Sequence, residues 1–238
     1  MKALLKSVYR GAVTFDSEAR AVIEFARSAC AGATEQRVLD VGCGYGRNLR
    51  LLRDAGFDVL GVEVNERIVS ANRDAGLNCM TADEFARTKD TFDLLLMSHV
   101  IEHFTPTALV PFMDGYLDRL RPDGALVIAT PLLGPFFYDD FDHVKPYHPI
   151  GLLMVFGEGN AQVQYYARNR LAIEDVWIRR SPLRLGHGRG RYVGLWRARA
   201  RQVGDFAGAL LFRATGGLIG TADGWVGLFR KRPAKDTA

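Results

Sequence analysis

The chain has 238 residues, a formal net charge of +4 and an apolar fraction of 48 %, which suits one α/β enzyme domain over residues 1–238 with a real core. So small a net charge makes no demand for nucleic acid, and no apolar run is long enough to cross a bilayer. Cys30, Cys43 and Cys79 are widely spaced, without a metal or disulfide pattern, so a reducing compartment is expected.

At the N-terminus, Leu4, Leu5 and Val8 are too sparse for the apolar core of a signal peptide, and the expected location is cytoplasmic. A helix is predicted over Ser17–Cys30, with Val22, Phe25, Ala26 and Ala29 at helical spacing. The apolar run Arg37–Val41 reads as a strand covered on both faces, and Asn48–Ala55, closed by Gly56, as the helix after it. Gly42, Gly44 and Gly46 lie between them around Cys43, where backbone can approach a ligand that a Cβ would block. The spacing is GxGxG directly after Asp40, not the GxGxxG of dinucleotide sites. A carboxylate at that strand end would repel a pyrophosphate but suits a ligand carrying ammonium and sulfonium charges.

The next strand, Asp58–Glu63, ends in a carboxylate about 20 residues beyond the glycines, where such folds bind ribose hydroxyls. Glu63 is the expected ribose clamp, with Val64 beside it. A short strand over Leu77–Met80 precedes Asp83, Glu84 and Phe85, an acid pair beside an aromatic fit to bond an adenine amino group and cover the ring. Strands at Phe92–Ser98 and Ala125–Thr130 follow, the second launched by a turn at Arg121-Pro122-Asp123-Gly124. Alternation with helices implies parallel pairing through right-handed crossovers.

The glycine turn after Asp40, the acidic strand end at Glu63 and the Asp83-Glu84-Phe85 element occur in that order within residues 36–131. Together they resemble the class I methyltransferases that use S-adenosylmethionine (SAM). That resemblance implies an α/β, Rossmann-like sheet of seven strands, mostly parallel with an antiparallel edge, and helices on both faces. The edge pair would come from Leu171–Arg179 and Trp225–Lys231, with acceptor-side insertions at about residues 132–160 and 181–222. SAM would be held by Asp40, Gly42, Cys43, Gly44, Gly46, Glu63, Val64, Asp83, Glu84, Phe85, Ser98 and His99.

The fourth strand runs into Ser98-His99-Val100-Ile101-Glu102-His103-Phe104, at the edge where open α/β sheets bind ligands. Glu102 and His103 resemble part of the metal-binding set of small-RNA 2′-O-methyltransferases. His99 replaces the first carboxylate, however, and magnesium prefers oxygen ligands. The reading adopted is that these residues line the methionine end of the cofactor pocket, without metal.

Beyond the fifth strand, Phe136 to Pro149 holds five aromatics and two histidines. Methyl transfer to a hydroxyl needs a positioned acceptor and removal of its proton, which a histidine does near neutral pH. His143 beside Asp142 is the expected base, with His103 a further catalytic candidate and Asp140 and Lys145 as acceptor contacts; a structured loop that merely satisfies its own backbone is the competing reading. Asp142-His143-Val144-Lys145-Pro146-Tyr147, followed by a helix over Pro149–Phe156, is also similar to bacterial surface-polysaccharide and O-antigen methyltransferases. The acceptor implied is a hydroxyl of a surface glycan or its lipid-linked precursor; a phenol or quinone-like small molecule and a non-catalytic SAM-binding or membrane scaffold are the alternatives.

From Arg168 to Arg201 the chain carries ten arginines against Glu174 and Asp175, and then an apolar stripe of Val203, Phe206, Ala207, Leu210, Leu211 and Ala214. Such an element either lies on an anionic membrane at the inner face of the cell membrane or packs on its own core with its arginines in water. Tyr192 and Trp196 are too thin a platform for nucleic acid. There is no Gly-x-Ser-x-Gly turn, Walker loop or Asn-Pro-Pro-Tyr element after the fourth strand.

Overall fold

A computed structural model describes residues 17–32, 35–159, 164–183 and 196–233. Strands β1 (Arg37–Val41), β2 (Asp58–Glu63), β3 (Cys79–Thr81), β4 (Phe92–Ser98), β5 (Leu120–Pro131), β6 (Arg170–Ser181) and β7 (Thr221–Arg232) form one sheet in the order β3-β2-β1-β4-β5-β7-β6. The first five pair in parallel and β7 is antiparallel to both β5 and β6. This is the expected mostly parallel Rossmann-like sheet with an antiparallel edge pair.

Period-2 side-chain alternation divides the core into two layers. Leu39, Val41, Leu95, Met97, Leu126 and Ile128 face one layer, and Val38, Leu94, Leu96, Ala125 and Val127 the other. The first is covered by α4 (Ala82–Ala86), α5 (Pro106–Leu117) and α6 (Pro149–Phe156), through residues such as Phe85, Met113 and Phe156. The second is covered by α1 (Ser17–Ala29), α2 (Arg47–Asp54) and α3 (Glu66–Asp74), through Val22, Phe25, Leu52 and Val69. With both faces covered, a parallel strand must be apolar almost throughout, as β1, β2 and β4 are.

Boundaries moved where a turn hides inside a strand. β5 begins at Leu120 rather than Ala125, and the expected Arg121–Gly124 turn survives within it as a kink: Asp123 has φ +57° and the pairing slips between Phe92 and Leu94. β3 starts two residues later than expected, at Cys79.

Helix α7 (Trp196–Ala214) lies between β6 and β7 in the chain. It is anchored by buried Ala209 and Phe212, three residues apart, while Val203, Leu210 and Leu211 of the expected stripe are exposed. Among the described residues no helix is long and apolar enough to cross a membrane. Arg184, Arg189, Arg191 and Tyr192 lie outside the described residues, as do the side chains of Arg197, Arg199, Arg201 and Trp196. The described arginines are partnered: Arg168 with Asp118, Arg170 with the Val155 carbonyl, Arg179 with Glu18 and Asp223, and Arg180 with the Gly220 carbonyl.

Candidate active site

The carboxyl ends of β1, β2 and β4 meet at the glycine turn. Gly42, Gly44 and Gly46 all have positive φ, but for different reasons of space. A Cβ on Gly42 would collide with Val100, and one on Gly46 with Leu77 and Asn72, so these two glycines serve packing. A Cβ on Gly44 would meet nothing within 4 Å. Gly44 is therefore the position where the turn keeps an open side, with room for a ligand. Asn72 ties the turn down by donating to the Gly44 carbonyl at 2.8 Å, a link the sequence did not announce.

Beneath the turn, Asp40 is buried and its Oδ2 has no hydrogen-bond partner. Burial, reinforced by the neighbouring Glu63 carboxylate, pushes its pKa up to about 8. An orphaned carboxylate oxygen beneath an open glycine turn fits a ligand that brings positive charge, as SAM does. Glu63 accepts from the Gly44 and Asn65 amides, both at 3.0 Å, which holds its carboxylate at the mouth of the turn with lone pairs remaining. Val64 is next to it and 82 % exposed. Cys43 lies inward, its Sγ 3.5 Å from that of Cys79; the two cysteines that looked remote in sequence are neighbours, and both are free thiols.

Two expected cofactor contacts are corrected. Phe85 does not cover a ligand: it is buried in the core, stacked on Tyr116 at 5.9 Å, with the Arg119 guanidinium over its ring. Glu84 closes a capping box with Thr81 and pairs with Arg73 at 2.6 Å, so its carboxylate is spent on the start of α4. Asp83, in the same first turn, is exposed.

At the end of β4, Ser98 is half-buried and His99 adopts φ +57°, an uncommon backbone state outside glycine. Its ring lies between two carboxylates: Nε2 is 3.1 Å from Glu18 of α1, and Nδ1 is 3.2 Å from Glu102 Oε1, an ion-pair distance that lacks hydrogen-bond geometry. Burial disfavours the imidazolium, but Glu102 and Glu18 outweigh it and raise the pKa to about 9. Glu18 also bonds Arg179 of β6 and lies 3.8 Å from Arg47. Burial opposes its charge, yet His99 and Arg179 hold its pKa down to about 2. Nothing in the sequence linked Glu18, His99 and Arg179, which are separated by 81 and 80 positions.

Glu102 is fully buried, its Oε2 accepting from Thr130 at 2.9 Å. Its backbone carbonyl receives the Val144 and Lys145 amides, which docks the loop after β5 onto the end of β4. Tyr147 and Trp225 complete that attachment: Tyr147 donates to the Phe104 carbonyl and Trp225 to that of Tyr147, each at 2.8 Å. The docking brings His143 beside His103, with ring centroids 5.1 Å apart.

Asp142 is not the orienting partner of His143. His143 Nδ1 lies 2.7 Å from the Phe137 carbonyl, and Asp142 instead offers its own carbonyl to His103 Nδ1 at 3.1 Å. Because a carbonyl only accepts, both Nδ1 atoms carry hydrogen, and in the neutral imidazoles it is Nε2 that keeps the lone pair. The nearest acid to His143 Nε2 is Asp140, at 3.9 Å. Glu102, His103 and His143 also offer ligand atoms within 4.8 Å of one another, an arrangement that spacing along the chain did not reveal. Tyr138 and Phe141 stand exposed on the same loop, Phe141 at 98 %.

Comparisons with known proteins agree with this fold. The profile of a methyltransferase domain family matches residues 15–173. Among curated proteins, the ubiquinone biosynthesis O-methyltransferase of Rhizobium etli is 33 % identical over 102 residues, 40 % of each chain. That of Parvibaculum lavamentivorans is 30 % identical over 129 residues, 51 % of this chain and 47 % of the other. The chain thus spans less than half the length of the curated relatives it matches. Among solved structures, a SAM-dependent methyltransferase from Archaeoglobus fulgidus superposes with a TM-score of 0.54 at 19 % identity, covering 89 % of this chain and 94 % of that one. The plantazolicin methyltransferase, solved with S-adenosylhomocysteine (SAH), gives 0.56 at 11 % identity, covering 98 % and 91 %.

Proposed function

Because the chain belongs to the methyltransferase domain family and takes SAM as its cofactor, we propose that it methylates a hydroxyl group, with His143 as the base. The observation that carries this reading is the His143 ring, locked by the Phe137 carbonyl with Nε2 left to accept a proton, on the loop docked against the cofactor end of β4. When bound, SAM supplies the electrophilic methyl group. The protein has to hold the acceptor in line and take up its proton. Asp40, Gly44 and Glu63 would hold the cofactor, and Val64 would flank it. Tyr138 and Phe141 offer ring faces to the acceptor, while Asp140 and Lys145 offer polar contacts.

The names of the matched relatives favour a small aromatic or quinone-like hydroxyl, and the exposed rings suit it. A sugar hydroxyl of a surface glycan or its lipid-linked precursor is met equally well by aromatic faces and acids. Incubating the SAM-loaded protein with simple catechols and with sugar acceptors, and following SAH formation, separates the two. His143→Ala should lower turnover by about two to four orders of magnitude with SAH affinity nearly unchanged. A fully active variant would end the base assignment.

A second reading is favoured by one observation, the proximity of Glu102, His103 and His143. One carboxylate and two imidazoles suit zinc or a similar transition ion better than magnesium, and each histidine already donates its other nitrogen to a carbonyl, as metal ligands do. In that case a chelator would abolish activity and added metal restore it; under the base reading, activity survives chelation.

A further inference from the structure

Away from the histidines and the glycine turn, a cavity of about 380 Å³ opens between α1, the edge strand β6 and the end of α7. None of its lining residues belongs to the site described above. Its walls are Trp177 and Phe212, and the turn at Gly216 and Gly217 closes one side. The volume is at the lower end of what small-molecule sites use.

The cavity is preformed because its aromatic walls cannot easily swing into it. Phe212 is buried, and its ring lies so close to Gly220 that a Cβ there would sit 2.7 Å away. Thr215 and Gly217 both donate to the Phe212 carbonyl, which fixes the helix end that carries the ring. Trp177 is packed against the core layer beneath α1.

Charge at the mouth is unbalanced by one unit. Arg20 and Glu24 neutralise each other in an ion pair at 2.9 Å. Among the described residues, Arg180 bonds the Gly220 carbonyl at 3.3 Å and pairs with no carboxylate. The chain around the cavity is apolar and in water: Leu211 precedes Phe212, and Leu218 and Ile219 follow Gly217, all exposed.

From an aromatic-walled chamber, a guanidinium at its mouth that pairs with no carboxylate among the described residues and an apolar apron beside it, we propose that this cavity binds an amphiphile with one anionic head and an aliphatic tail. The tail lies against Trp177 and Phe212, and the head meets Arg180, whose planar fork suits a phosphate or carboxylate. This site is independent of the acceptor and of the base at His143.

The test is calorimetric titration of the full chain saturated with SAH, so that the cofactor site is filled. The probes are octyl phosphate, 1-octanol as tail alone, and inorganic phosphate as head alone. Octyl phosphate should bind about tenfold more tightly than octanol, and phosphate should give no measurable heat. Arg180→Gln should reduce octyl phosphate to the octanol level. Ala21→Phe, which fills the chamber from α1, should remove binding of both, with thermal melts showing each variant folded. Equal affinity for octyl phosphate and octanol, indifference to both substitutions, or displacement of SAH by the probe would each overturn the proposal.

Discussion

Binding of the cofactor should release a proton, and Asp40 is the group that loses it. In the free protein its carboxyl is buried beside Glu63 and pushed up to about 8, so it is mainly neutral at neutral pH. A cationic ligand favours the carboxylate, so the neutral form must ionise before the full attraction is felt. Affinity should therefore rise about tenfold per pH unit below 8 and level off above it. Between about pH 6 and the plateau the difference is about two units, a factor of about 100 or 2.7 kcal/mol. Calorimetry with SAM from about pH 6 to about pH 9, in paired buffers of different ionisation heat, reads both the slope and the proton released. Asp40→Asn should bind more weakly at the plateau and show neither slope nor release. Linkage gives the ligand-free protein the matching trend: a carboxyl raised from 3.8 to about 8 contributes stability that is present below pH 3.8 and lost as pH rises through 8. PH-independent affinity with no proton released would refute the assignment of Asp40 to the cationic end of the ligand.

Gly44→Val should abolish the thermal shift given by SAH, because its side chain occupies the open face of the turn; the backbone strain at φ +49° should cost about 1–2 kcal/mol, leaving the fold measurable by circular dichroism. Glu18→Ala strips one of two carboxylate partners from half-buried Arg179, which keeps Asp223, and removes a carboxylate beside the His99 ring, and should cost about 3 kcal/mol in urea unfolding. That cost depends on pH in a defined way. Glu18, held at about 2, contributes above its ordinary 4.5 and loses this as pH falls through 2; His99, raised to about 9, contributes below 6.5 and loses it as pH rises through 9. The difference between native and variant should peak between pH 4.5 and 6.5, and a flat difference would dissolve the ring of charges. In α7, Phe212→Asp should destabilise by about 3 kcal/mol or more, whereas Val203→Glu should stay within about 0.5 kcal/mol. Vesicle flotation at low salt measures whether the exposed side of that helix also meets an anionic membrane: salt-sensitive flotation lost in a Val203→Glu, Leu210→Glu protein supports contact, and absence of flotation excludes it.

The sheet was legible because its signal is local and redundant. β1, β2 and β4 have the residue bounds expected from their apolar runs, since a strand covered on both faces can hardly be written otherwise. The glycine turn was equally plain, although its glycines do unlike work: Gly42 and Gly46 spare Val100, Leu77 and Asn72 a collision, and Gly44 alone keeps space open. Phe85 was misread because an aromatic that covers a ligand and one that fills a core look identical in sequence; only the rings of Tyr116 and Phe92 beside it decide.

The histidines show where sequence reading stops for a physical reason. Asp142 drew attention as the partner of His143 because a carboxylate is visible in the sequence, yet the orienting acceptor is the Phe137 carbonyl, and every residue has a carbonyl. Which one is used depends on how the loop is folded over Glu102, whose backbone receives the Val144 and Lys145 amides, and on Tyr147 and Trp225, which pin the loop's far end. The tautomer of His143, and with it the free Nε2 on which the proposed proton removal would depend, is thus set by main-chain atoms and by a tryptophan 82 positions further along the chain. Trp225→Phe keeps an apolar ring in that place but removes the donor to the Tyr147 carbonyl. If the loop's attachment sets the base, that variant should lose turnover while its SAH affinity, governed by the glycine turn, stays unchanged; turnover equal to the native protein's would mean that His143 is held by the Phe137 carbonyl alone.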